Sequence, residues 1–341
     1  MKRIVVNEYL DELEVHPPGA YQRLKDLCIA SARELLSEQE QWSDVSCPGC
    51  ASPERQPAFE KHGYAYWSCE RCSTLYVSPR PSEAQMDWYL HRSPAAAFRN
   101  SDDYREALRQ HAGELATYRA AWISEICQRM TGSLNCAVID VETRSLEYLT
   151  RLQKLHLGPV MAVNPLFEMP HPPGEPEAGP KVVKSLAELE GADCGLVAAF
   201  DILEHLVHPQ EFVRNVHRAL GPGGLFVITS RCSSGFDIQV LWDRCNTIFP
   251  AEHINLLSVE GVKALLAGSG FDIVEASTPG QLDVQMIERA LHEQEDAEVP
   301  RFLSYFLRFR DHLAKHRLQQ FLQQNLLSSH LRVVARKVIE R

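Results

Sequence analysis

Four cysteines carry the clearest chemical signal in this chain. Cys47 and Cys50 stand two residues apart in CPGC, Cys69 and Cys72 two apart in CERC, and eighteen residues separate the pairs. Two such knuckles offer four thiolates to one tetrahedral ion, and the closed four-sulfur set predicts a structural Zn²⁺ rather than a catalytic one. Four reduced thiols in a vestigial ribbon are the alternative. Only Arg55 and Lys61 lie between the knuckles, which disfavours nucleic-acid binding. The other six cysteines, Cys28, Cys127, Cys136, Cys194, Cys232 and Cys245, have no such spacing and read as small buried apolar residues. Trp67, Tyr76 and Trp88 near the ribbon could stack on a sugar or base, or simply pack around the metal module.

Elements that could position a reactive site follow after residue 134. CAVID (136–140), PVMAV (159–163), KVVK, GLVAAF (195–200), LFVITS (225–230), FDIVEAS (271–277) and HLRVVARKVI (330–339) read as strands. Helical segments near 145–156, 209–220 and 258–268 separate them, and the turn Gly221-Pro222-Gly223-Gly224 follows the second. Residues 170–180 read as a loop. This alternation predicts an α/β, doubly wound sheet with helices on both faces. Ahead of it, 1–43 reads as helices broken at Pro17-Pro18-Gly19, 44–80 as the zinc ribbon, and 81–133 as linker helices. The linker carries an apolar stripe at Leu108, Leu115, Tyr118 and Trp122. Within 134–341, residues 281–326 read as a helical insertion, and the stripe Phe302, Phe306, Phe309, Leu313 is expected in the core.

At 341 residues and 45% hydrophobic, the chain can bury one large domain and a small module. Its formal charge of −10 argues against broad binding to a phosphate backbone. No apolar run approaches the roughly 18 residues needed to span a bilayer, and MKRIVVNEYLDELEVHPPG does not read as a signal peptide. A cytoplasmic, reducing location is expected.

The stretch FDILEHLVHPQEFVRNVHRALGPGGLFVITS, from Phe200, resembles the class I S-adenosylmethionine (SAM)-dependent methyltransferases, particularly the methyltransferase 11/12-like set. PAEHINLLSVEGVKALLAGSGFDIVE (250–275) is similar to the segment that follows it there. The ribbon ending in LYVSPRPS and the tail FLQQNLLSSHLRVVARK resemble methyltransferases of nucleotide sugars and surface polysaccharides. The resemblance implies a Rossmann-like seven-stranded sheet and SAM as cofactor. It also implies a small-molecule acceptor of the sugar or nucleotide-sugar type. Cofactor contacts fall on Asp140, Glu142, Asn164 and Asp201, at strand ends. The pattern departs in two places. Val141-Glu142-Thr143-Arg144-Ser145 stands where glycines are expected, and Asn164 stands where an acid would bind the ribose. Asn164 can still accept one hydrogen bond from a ribose hydroxyl, without charge assistance. Glycine serves at the first place because it tolerates positive φ and leaves room for a ligand. A catalytically inactive descendant acting as a binding or scaffolding subunit is therefore the alternative reading. Methyl transfer needs alignment and, for a hydroxyl acceptor, a base. His205, preceded by Glu204, and His253 are the candidates, histidine titrating near neutrality. Gly223 and Gly224 read as backbone devices.

Overall fold

The computed structural model describes residues 18–132, 136–143, 146–155, 158–164, 166, 180–191, 193–293 and 299–339. The helix expected before Pro17, most of the 170–180 loop, and Arg144 with Ser145 lie outside these. Seven strands form the main sheet: β4 (Val138–Val141), β5 (Val160–Val163), β6 (Lys181–Val183), β7 (Cys194–Phe200), β8 (Leu220–Arg231), β10 (Phe271–Ser277) and β11 (His330–Lys337). Their order is β10-β11-β8-β7-β4-β5-β6. Pairing from β8 to β6 is parallel, and β11 runs antiparallel between β8 and β10. The chain starts at β4, winds outward to β6, then returns to β7 on β4's other side. This reversal opens a crevice at the carboxyl ends of β4 and β7, where ligands of open α/β sheets bind.

Alternation along the strands explains the two covered faces. Val138, Leu196, Ala198, Leu225 and Val227 face one core with Ala116, Ala120, Ile123 and Ile126 of α5 (Arg109–Thr131) and Leu149 and Leu152 of α6 (Leu146–Lys154). Ile139, Val141, Val197, Ala199, Phe226 and Ile228 face the other, beneath α7 (Pro209–Ala219) and α9 (Val259–Ala267). In the β7–β8 register, Cys194 pairs with Leu220 and Leu196 with Leu225, so the four residues 221–224 bulge out. Gly223 there takes φ +72°, the backbone role expected of it.

A second sheet, β1 (Arg55–Lys61), β2 (Tyr64–Cys69), β3 (Leu75–Val77) and β9 (Asn255–Leu256), ends β2 on Cys69, with Cys72 in the turn that follows and Cys47 and Cys50 ahead of β1. Its last strand comes from the loop after β8, Tyr76 pairing with Asn255 and Leu75 with Leu256. The ribbon is thus stitched into the main body. Buried Arg80 donates to the Val207 carbonyl, and Gln210 to those of Cys47 and Pro48. The six remaining cysteines are all buried.

The linker helix α5 packs on the main sheet through its alanines and isoleucines, with Leu108, Leu115, Tyr118 and Trp122 half-buried beside them. The second apolar stripe departs from expectation. Phe302 and Phe309 are 78% and 61% exposed, so the aromatic stripe is not core. Leu303 and Leu307 take the inward face of α11 (Arg301–Phe309), and Phe306 sits at its edge. Asp311 then caps α12 (His312–Gln324), accepting from the Ala314 amide at 2.8 Å, which puts Leu313 out of phase with the stripe. Leu303→Ala is expected to cost about 2–5 kcal/mol, and Phe302→Ala within about 0.5 kcal/mol, in urea unfolding. Equal losses would show that the exposed face is packed.

Candidate functional site

The four thiols converge. Sγ atoms of Cys47 and Cys72, and of Cys50 and Cys69, lie 3.5 Å apart, and all four fall within 4.8 Å of one another. A tetrahedral ion with Zn–S bonds near 2.3 Å would set them about 3.8 Å apart. The two knuckles share one geometry. Ala51 donates to the Cys47 carbonyl at 2.9 Å and Ser73 to that of Cys69 at 2.8 Å, each with φ +59°. A Cβ on Gly49 would come 2.9 Å from the Gly261 Cα, so that close approach requires glycine.

The second constellation sits at the sheet's carboxyl edge. β7, β4 and β5 lie side by side, and the residue that follows each takes left-handed backbone: Asp201 (φ +58°), Glu142 (+49°) and Asn164 (+45°). Before turning, each extends the ladder: Glu142 N–H donates to the Val163 carbonyl, Asn164 to Val183 and Asp201 to Thr229, at 2.8–3.0 Å. Three adjacent non-glycine left-handed turns hold strain of the kind that clusters where ligands bind.

Carboxylates dominate this edge. Asp140, 1% exposed, has a buried Oδ1 without a hydrogen-bond partner, and burial raises its pKa to about 7. Glu204 accepts the Arg231 amide at Oε1 (2.6 Å), while its buried Oε2 has no partner. Burial, then the nearby Asp201 charge, raises Glu204 to about 8. Asp201 is satisfied, accepting from Thr229 at 2.8 Å and pairing with Arg119 at 2.5 Å. Glu142 Oε2 meets His205 Nε2 at 2.6 Å, both side chains being largely buried.

His253 is placed as a donor rather than a base. Its Nδ1 accepts the Phe249 amide at 2.9 Å, so its hydrogen sits on Nε2. Burial lowers its pKa to about 4, which keeps the ring neutral. Tyr66 of the ribbon donates to its carbonyl.

Asn255 went unrecognised in the sequence. Fully buried, its Nδ2 donates to the carbonyls of Leu203 (2.8 Å) and Leu206 (2.7 Å), and its own amide donates to that of Glu204. This one residue clamps the loop bearing Glu204 and His205. No local signal marks it, since its partners are about fifty residues away.

Two cavities open here. One, about 450 Å³, is lined by Val141, Glu142, Asn164, Ser185, His205 and Phe212, among others. The other, about 520 Å³, is lined by Tyr21, Arg119, Asp201, Glu204, His205 and His253, among others. Both have the size of small-molecule sites. They share His205, so the Glu142–His205 pair stands where they meet. Of the seven residues expected to bind cofactor or catalyse, Glu142, Asn164, Asp201, Glu204, His205 and His253 line these cavities. Asp140 lies one residue behind, in β4. The wall includes Glu142 itself, which therefore leaves the hollow at β4's tip open; Arg144 and Ser145 lie outside the described residues.

The sequence model of the methyltransferase-domain family matches residues 114–276. No curated protein matches the chain. Solved structures give low-identity matches. The 1,6-didemethyltoxoflavin-N1-methyltransferase of Burkholderia thailandensis, bound to its substrate and S-adenosylhomocysteine, is 15% identical with TM-score 0.43, over 84% of this chain and all (100%) of that one. A plantazolicin methyltransferase in complex with SAH is 10% identical with TM-score 0.46, covering 74% and 94%. A SAM-dependent methyltransferase from Archaeoglobus fulgidus is 14% identical with TM-score 0.39, covering 64% and 94%. The chain has an α/β methyltransferase fold, a mostly parallel seven-stranded sheet, with a four-cysteine cluster ahead of it.

Glu204 makes a stability prediction. Its folded pKa of about 8 exceeds its ordinary 4.5, so the native state holds the proton longer and loses stability as pH rises from 4.5 to 8. Glu204→Gln should match wild type in acid and gain a few kcal/mol above pH 8, in urea melts across pH. A pH-independent difference would show that the carboxyl is not buried as an acid.

Proposed function

We propose that this protein is a SAM-dependent methyltransferase acting on a small-molecule acceptor. The observation that carries the reading is the acid-rich crevice at the switch between β4 and β7, where Asp140 and Glu204 each keep a buried carboxylate oxygen without a partner. Unpaired buried acceptors are costly, and a cationic, donor-rich ligand satisfies them.

The residues fit the cofactor in charge and position. Asn164 would accept from a ribose hydroxyl at the tip of β5. Asp201 and Glu204 would face the cationic half, with Arg119 holding Asp201 in place and Asp140 buried just behind them. Bound SAM would supply a methyl group already activated on a sulfonium. The protein's part is to align an acceptor against it, exclude water and take up the acceptor's proton. His205 is the proton acceptor in this reading, and His253, hydrogen-bearing at Nε2, is a donor toward the acceptor's oxygen.

We assign the acceptor to the sugar-linked class, on the resemblance of the ribbon and tail; Tyr21, Tyr104 and Tyr148 give the second cavity aromatic faces suited to a sugar. The thiol quartet is assigned to structural Zn²⁺ in a reducing, cytoplasmic setting. No helix among the described residues is long and apolar enough to cross a membrane.

Calorimetric titration with SAM tests the function. Cation binding favours the ionised acids, so affinity should rise from pH 6 to pH 9 and up to about one proton should be released per event near neutrality, seen as a buffer-dependent heat. No heat at millimolar SAM would end the enzyme reading and leave a binding or scaffolding role. For the metal, elemental analysis should find one zinc per chain. Cys47→Ser should lose it and lower thermal stability, because β3, β9 and the Asn255 clamp rest on the ribbon. Full stability in a zinc-free variant would refute the structural assignment.

A further inference from the structure

We propose that Glu142 is a positioning residue: it holds the His205 imidazole in the Nε2–H form and thereby makes Nδ1 the nitrogen that takes the acceptor's proton. The inference rests on the methyltransferase reading for its chemistry and on geometry for everything else. Sequence resemblance expects glycine in the turn after β4 and assigns that turn to cofactor. The structure gives Glu142 a different task.

A carboxylate accepts hydrogen bonds and cannot donate them. With Glu142 Oε2 2.6 Å from His205 Nε2, the histidine must carry its hydrogen on that nitrogen. The neutral ring then presents its lone pair at Nδ1, which takes no hydrogen bond from any described residue. A carboxylate that fixes a histidine's tautomer and stabilises the cation formed after proton uptake is the pairing found in nucleophile–base–acid triads. With SAM bound, His205 Nδ1 would take the acceptor hydroxyl's proton as the oxygen–methyl bond forms and the sulfonium–methyl bond breaks, leaving a neutral thioether and a positive charge on the imidazolium beside Glu142.

Two further observations separate this pair from an incidental salt bridge. Its members are 5% and 11% exposed and come from different strand ends, 63 residues apart. Glu142 is also kept in left-handed backbone, φ +49°, a strained conformation for an L-residue that glycine would adopt freely. The turn bears that strain and places a carboxylate against His205. The loop beneath His205 is separately fixed by Asn255, so the imidazole has a rigid mount on one side and an oriented partner on the other.

The test uses the full chain with ¹⁵N-labelled histidine, His205→Gln assigning the ring signals. Wild type near neutral pH should give a protonated Nε2 with a strongly downfield proton and an unprotonated Nδ1. In the isosteric Glu142→Gln that proton should move upfield and exchange faster, with the protein still folded. A protonated Nδ1 in wild type, or an Nε2 proton unmoved in the variant, overturns the proposal. Calorimetry with SAM supplies the second arm. Glu142→Ala should keep affinity within about threefold of wild type, whereas a loss beyond about tenfold, the scale of a charge-assisted hydrogen bond, would make Glu142 a cofactor ligand instead. Should wild type bind no SAM, the methyltransferase reading falls alone, because the ring-nitrogen signals still decide what Glu142 does to His205.

Discussion

The buried amide of Asn255 is the constraint on which the site depends. A loop leaving a strand has free carbonyls and no ladder to satisfy them. Here Leu203, Glu204 and Leu206 present three such carbonyls within four residues, and one residue of β9 answers all of them. Because β9 is itself the fourth strand of the cysteine-bearing sheet, the amide joins three things: the thiol quartet, the loop after β7, and the sheet edge. A metal that closes the knuckles would stiffen β3, through it β9, and so the acid–histidine loop. That path couples the four-cysteine cluster to the loop after β7.

Electrostatics at the edge follow a division of labour. Asp201 is fully engaged with Arg119 and Thr229, and Glu142 with His205. Asp140 and Glu204 each keep an oxygen in reserve, at a cost in the free protein that their raised pKa values register. Side chains that satisfy one another hold the edge in place, and the two left wanting mark where it is electrostatically unfinished.

Much of this could be read from the sequence, and the misses have physical causes. The cysteine pairs declare themselves because a metal needs ligands at fixed short spacings, and β7 and β8 because buried parallel strands are continuous apolar runs. Glu142 was legible only as a departure from glycine. Its partner lies 63 residues away, and no local pattern encodes such a contact. Asn255 was invisible for the same reason. The Phe302–Leu313 stripe failed because helical periodicity carries over only while the helix continues, and Asp311 starts a new one. On α5, the large residues drew attention while alanines did the close packing against the sheet.

The pairing of β3 with β9 also orders events in time. Leu75 meets Leu256 across about half the length of the chain, so on a ribosome the knuckles can gather their thiols long before their sheet can be finished. Until residue 256 has emerged, β3 is an unprotected edge, open to pairing with a neighbour. Any ion that the knuckles take up would have to hold the ribbon together through that interval.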